Sequence, residues 1–274
     1  MKPHTKTIPS FLQVMMLFVL QSVLYSGNAQ AATVNVFFAG GQSNAKPVWA
    51  DAIQNTLVAS GRYQNVMMIS TMHSGNALNQ WFDMGAPQAN YQQDFFSPAG
   101  TGLVQQATNT ISAQGDTYVF TGFFWFQGES DQQYPSSTQL YGERFRGMMG
   151  QLDADLGGHS GFPAPVSLAL IDYNPAYDST VPVGTKDHIE VFRQVQRDLV
   201  SSIPLGSYYD TRGYTRTDAY HLTLDALTTV GVGMADTFLA ATAPTPVPVP
   251  AALWLLGSGL LGLMGATRQR KRQS

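Results

Sequence analysis

Short polar blocks interrupt otherwise apolar stretches of this sequence, and each carries residue types suited to acyl-transfer chemistry. The first is Gly40-Gly41-Gln42-Ser43-Asn44-Ala45 and the second His73-Ser74-Gly75-Asn76-Ala77-Leu78. The third is Gln127-Gly128-Glu129-Ser130-Asp131, and the fourth Asp218-Ala219-Tyr220-His221-Leu222-Thr223. A serine hydroxyl attacks a carbonyl when a base takes its proton, and imidazole is the side chain whose basicity suits that task near neutral pH. Asp218 and His221 are three residues apart, so a single turn sets them side by side. There the carboxylate fixes the imidazole tautomer and stabilises the imidazolium formed during proton transfer. Each block alone has a plainer reading. Ser43 reads as a helix N-cap, His73 as a structural hydrogen-bonder, Glu129 and Asp131 as a solvated turn, and Asp218 with His221 as an incidental loop pair.

The blocks sit at the ends of runs that must position them. Apolar, β-rich runs cover Val34–Phe38, Val66–Ser70, Tyr118–Phe126, Val166–Ile171 and Gly206–Tyr209, and runs apolar on both faces suit buried parallel strands. Segments of helical length lie between them: Ala45–Ser60, Leu103–Ala113, Ser136–Leu156, Asp187–Ile203 and Thr223–Ala240. This alternation predicts a three-layer α/β fold with a parallel sheet of about five strands. In such sheets functional sites form beyond the carboxyl ends of the strands, which is where the first three blocks fall.

The two ends of the chain are of another kind. Lys2 and Lys6, the apolar run Phe11–Tyr25 and the small residues Ala29-Gln30-Ala31 have the order of a secretory signal peptide, predicted over residues 1–31. The globular domain is expected over residues 32–242. A proline-rich spacer follows at 243–250, then an uncharged apolar segment within 251–274 that closes on Arg268, Arg270, Lys271 and Arg272. All 18 acidic residues lie within 32–242 against nine of the 15 basic ones, so that segment is near −9. Such a balance disfavours nucleic acid as a partner. There is no cysteine, which excludes disulfides, thiol catalysis and zinc–thiolate sites. The pair Asp153 and Asp155 lacks the rest of a calcium loop, and no metal site is expected.

Taken together, Gly-Gln-Ser-Asn after the first strand, a glycine after the second, Gln-Gly-Glu-x-Asp after the third and Asp-x-x-His before the last helix resemble the SGNH hydrolase superfamily. The nearest branch is the carbohydrate esterases that include sialate O-acetylesterases and acetylxylan esterases. The resemblance runs from about Val34 to Ala240 and implies a flavodoxin-like sheet, no cofactor, and an acetylated carbohydrate as substrate. It implies Ser43 as nucleophile, His221 as general base and Asp218 as the residue that orients it. The oxyanion hole would comprise the backbone N–H groups of Ser43 and Gly75 with the side-chain amide of Gln127, and Glu129 would support the site. Two other readings remain open: a non-catalytic carbohydrate-binding or matrix protein that keeps the pocket, and an α/β-hydrolase lipase. The incomplete serine elbow at Ala45 speaks against the lipase.

The stretch Val247–Leu263 with its basic end is similar to a PEP-CTERM sorting signal, its tripeptide here being Pro248-Val249-Pro250. That resemblance implies a Gram-negative host, transient anchoring in the inner membrane, processing by an exosortase, and delivery to the cell surface, matrix or medium.

Overall fold

All five apolar runs pair as strands of one parallel sheet in a computed structural model that describes residues 31–157, 164–174, 176 and 185–244. The predicted signal peptide up to Gln30, the predicted spacer beyond Pro244 and the predicted sorting tail lie outside the described residues. The strands are β1 (Thr33–Gly41), β2 (Val66–Met72), β5 (Thr117–Phe126), β6 (Val166–Leu170) and β7 (Ser207–Asp210), in the spatial order β2-β1-β5-β6-β7. This is the flavodoxin-like order, with its switch point between β1 and β5. Two-residue strands β3 (Phe82–Asp83) and β4 (Ala86–Pro87) form a separate small hairpin. No alternation of apolar and polar residues announces it. The helices are α1 (Pro47–Ala59), α2 (Ala89–Asp94), α3 (Leu103–Ala113), α4 (Pro135–Asp155), α5 (Thr185–Ser201) and α6 (Leu224–Ala241). Proline opens both α1 and α4, where its missing N–H costs nothing and its fixed φ suits the first turn.

The sheet is sandwiched because successive strand residues point to opposite faces. On one face Phe37 and Phe124 meet Phe238 of α6, at ring separations of 6.0 and 4.9 Å, and Phe126 meets Trp49 of α1. On the other, Phe38, Phe123 and Trp125 meet Phe95, Trp81 and Phe145 of α4. The run Phe123-Phe124-Trp125-Phe126 therefore feeds two cores alternately, and all four side chains are buried. Helix α6 is long and apolar enough to cross a membrane by composition. Here its Leu227, Val230, Met234 and Phe238 are buried in the domain, and it packs along α1.

Strand register fixes the level at which the blocks leave the sheet. Gly41 is the register partner of Met72 on one side and of Phe126 on the other. Gln42, His73 and Gln127 therefore emerge in line. Two further bonds extend the ladders past the strand ends: Gln42 N–H to the Phe126 carbonyl at 2.9 Å and His73 N–H to the Gly41 carbonyl at 3.0 Å. Gly41 itself has φ +146°, and a Cβ there would overlap the Phe126 carbonyl. Only glycine lets β1 end this close to β5.

Candidate active site

Ser43 follows β1 on a tight turn, half-buried, four residues before α1 begins. It is not the N-cap that its type suggests, for that position belongs to Lys46. The turn between β7 and α6 brings His221 to it. Ser43 Oγ lies 2.7 Å from His221 Nε2, and His221 Nδ1 lies 2.7 Å from Asp218 Oδ2. The other Asp218 oxygen accepts the backbone N–H groups of Tyr220 and His221, both at 2.9 Å. A carboxylate so held cannot swing away from the imidazole. Burial raises its pKa, but the bonds from the His221 and Tyr220 N–H groups and the imidazole outweigh it, so Asp218 titrates below the usual range. The His221 and Asp218 side chains remain 37% and 50% exposed, so the site can be reached from solvent.

The backbone N–H groups of Ser43 and Gly75 make no hydrogen bond among the described residues. Gly75 takes φ +74° in the second block, and its carbonyl is tied by the Ser130 hydroxyl at 2.8 Å. Gln127 is placed differently from the sequence expectation. Its side chain is fully buried, and its amide nitrogen donates to Gln42 Oε1 at 3.0 Å and to the Asp131 carboxylate, with the Asn76 carbonyl at 3.3 Å. The amide cannot be turned over. Gln42 Oε1 also accepts the N–H groups of Gly128 and Ser130, so an oxygen must stand there and a nitrogen must face it. Both N–H bonds of Gln127 are thus spent inside the framework of the third block.

Gln42 and Asn44, the neighbours of Ser43, tie the four blocks together through contacts that residue type alone does not reveal. Gln42 fastens the third block through the bonds just described, and its own amide donates to Ser130 Oγ at 2.7 Å. Asn44 reaches the other way. Its Nδ2 donates to Glu129 Oε1 at 2.7 Å and to the Tyr220 carbonyl at 3.1 Å, while its Oδ1 accepts the Leu222 N–H at 3.0 Å. Both side chains are buried, at 1% and 2% exposure. The available signal was two amides flanking a serine directly after the apolar, buried stretch Val36–Gly41, where polar groups must find partners.

The remaining acids divide by environment. Glu129 is buried, and desolvation pushes its carboxyl above the ordinary range against the Asn44 bond that lowers it. Asp131 is pushed up to about 6 by burial, although Gln127 and the Leu78 N–H both favour its ionised form. Neither is the solvated turn that the sequence allows. His73 holds the buried Asp94 at 2.9 Å, with Trp81 Nε1 on the same carboxylate at 3.2 Å. This second acid–imidazole pair braces the start of the second block. Trp81, Phe82 and Tyr91 are core residues, whereas Tyr134 is 62% exposed beside the third block. Among the described residues no group of three or more His, Asp or Glu side chains is placed to hold a metal ion.

The family described as carbohydrate esterase, sialic acid-specific acetylesterase, matches residues 48–240. The chain belongs to that family. The match begins at residue 48, five residues after Ser43, and the contacts above join the Ser43 block to the matched segment. The PEP-CTERM protein-sorting motif matches residues 246–271 and implies export, membrane anchoring and exosortase processing. No curated protein matches the chain. Among solved structures, a protein from Arabidopsis thaliana is 16% identical over 75% of this chain and 98% of its own, with a TM-score of 0.53. A carbohydrate esterase family 2 enzyme with a carbohydrate-binding domain, from Corynascus, is 12% identical over 78% of this chain and 68% of its own (TM-score 0.47). An acetyl xylan esterase is 13% identical over 76% of this chain and 100% of its own (TM-score 0.44). At these identities the likeness is one of fold. The carbohydrate esterase assignment makes the protein a hydrolase acting on esters.

Proposed function

We propose that this carbohydrate esterase is an exported serine enzyme that removes O-acetyl groups from a carbohydrate through an acyl-enzyme. The observation that carries the reading is the unbroken relay Asp218–His221–Ser43, with 2.7 Å at each step. His221 Nε2 takes the Ser43 proton as Oγ attacks the acetyl carbonyl. The new oxyanion is received by the unengaged N–H groups of Ser43 and Gly75. The tetrahedral intermediate collapses as the imidazolium gives its proton to the sugar oxygen, which leaves as a hydroxyl. Water, deprotonated by the same nitrogen, then attacks the acetyl-serine, and acetate departs as Ser43 recovers its proton. Asp218 stays ionised throughout, and no step draws on a cofactor. Both the sugar and the acetyl group are named from the family, described as a sialic acid-specific acetylesterase. Cleavage of residues 1–31 and transient anchoring through 251–274 would deliver the domain outside the inner membrane of a Gram-negative cell.

The test is an assay of residues 32–242, with and without Ser43→Ala, on 4-nitrophenyl acetate and then on acetylated xylan and O-acetylated sialosides. Acetate release by the parent alone supports the reading. Equal release by Ser43→Ala overturns it.

A further inference from the structure

Asn44 touches the chain on both sides of the catalytic base. Its Oδ1 takes the N–H of Leu222, and its Nδ2 gives one hydrogen bond to the carbonyl of Tyr220. His221 hangs between these two anchor points, with its ring on Ser43 and Asp218. The amide can be seated only one way round, because a backbone N–H needs oxygen and a backbone carbonyl needs nitrogen. The remaining Nδ2 hydrogen goes to Glu129 Oε1 at 2.7 Å, a bond buried from solvent. A carboxylate there accepts from nitrogen and repels oxygen, so Glu129 reinforces the same orientation. Glu129 belongs to the loop that Gln42 holds through Gly128 and Ser130. The two residues adjoining the nucleophile thereby set the base and the third block relative to the hydroxyl between them.

We infer that Asn44 is a positioning residue for His221, and that Glu129 acts by fixing the orientation of the Asn44 amide rather than by touching substrate. This rests on the serine-esterase reading and adds to it a requirement on a side chain that meets neither substrate nor reacting atoms. Replacing Asn44 by aspartate keeps shape and the Leu222 bond, but sets an oxygen against the Tyr220 carbonyl and the Glu129 carboxylate. Replacing Glu129 by glutamine keeps an oxygen for Asn44. In the double variant the glutamine amide can instead donate to the new aspartate. Only an orientational role gives that pattern.

The experiment measures kcat and KM on 4-nitrophenyl acetate, and the rate of Ser43 labelling by a fluorophosphonate. Both are read at least 15 °C below the Tm of every variant, with Ser43→Ala as the blank. Asn44→Asp is expected to lower kcat and labelling about 30-fold with KM within twofold, and Glu129→Gln to stay within about threefold of wild type. Adding Glu129→Gln to Asn44→Asp should recover about tenfold. Wild-type kcat and labelling in Asn44→Asp overturn the role of Asn44. A loss that Glu129→Gln does not relieve overturns the role given to Glu129. Turnover in the Ser43→Ala blank instead strikes the serine reading and leaves a distinct signature. Should Asn44→Asp fail to fold, the wild-type protein still decides by hydrogen exchange. The Leu222 amide must be protected, and exchange at the rate of an open loop rules the clasp out.

Discussion

Gln42 Oε1 accepts the side-chain N–H of Gln127 at 3.0 Å, so the residue before Ser43 and the residue after β5 are joined through buried amides. Gln127→Ala leaves Gln42 and Asp131 each short of a partner and opens a void. The expected cost is on the order of 2–3 kcal/mol, or roughly 5–10 °C in Tm. Gln127→Glu sets a carboxylate against Asp131 and should melt lower still at pH 8, with partial recovery near pH 5. Thermal melts at both pH values, with kcat measured well below Tm, check this. An unchanged Tm with kcat reduced a hundredfold would show instead that the amide serves the oxyanion.

The triad should behave as one unit. Ser43→Ala and His221→Ala are each expected to lower turnover by several powers of ten, and the double variant to be little worse than either, because each single change already removes the relay. Steady-state kinetics on an acetyl ester decide. Additive losses would mean that the two side chains work independently.

Asp131 gives a pH signature. Its carboxyl is pushed up to about 6 by burial, above the unfolded value near 4, so between those values the folded state holds a proton that the unfolded state has lost. Stability from this group is therefore present below about pH 4 and falls as the pH rises through 6. Relative to Asp131→Asn, whose oxygen can still accept from Leu78 and Gln127, the wild type should lose about 2–3 kcal/mol across that interval. Denaturant titrations of both proteins at pH 4, 5, 6 and 7 measure it, and parallel curves refute it.

Gly41→Ala should not yield folded protein. The added methyl meets the Phe126 carbonyl and the backbone holds φ +146°, so either the β1–β5 ladder or the Ser43 turn must give way. Recovery from the soluble fraction is the first readout, and circular dichroism of any soluble material the second.

The sorting motif supplies a cell-level test. Ending the chain before Pro248 is expected to release active domain without membrane retention, while the full chain passes through the membrane fraction. Mature protein that keeps Arg268 and Arg272 in the native cell would exclude processing.

Much of the fold was legible because each of the five strands is an apolar run bounded by polar turns, and the alternation with helices leaves few arrangements open. The β3–β4 hairpin was not legible, since its strands are two residues long and have no period to read. In the site, spacing set Asp218 beside His221, and it was the family resemblance, not any pattern in the residues, that grouped Ser43 with them. The fate of Gln127 was not legible in the same way. An amide at a strand end can face outward to substrate or inward to a carboxylate, and Asp131, buried four residues on, settles it through a contact that residue type does not reveal. Asn44 and Gln42 escaped for a related reason: their partners lie up to 178 residues away, and only the assembled strand ends bring them together.

The pairing of α1 with α6 makes the first and last helices of the domain neighbours. A chain delivered amino end first, through a ribosome or a translocation pore, presents Ser43 long before the turn that carries His221. On the proposed mechanism, any partial chain that stops short of His221 holds the serine without its base, and an unassisted hydroxyl is a weak nucleophile. On that mechanism, reactivity requires that α6, which begins three residues after His221, be seated against α1. The enzyme is in this sense its own zymogen, with completion of the chain in the part that proteolysis plays elsewhere.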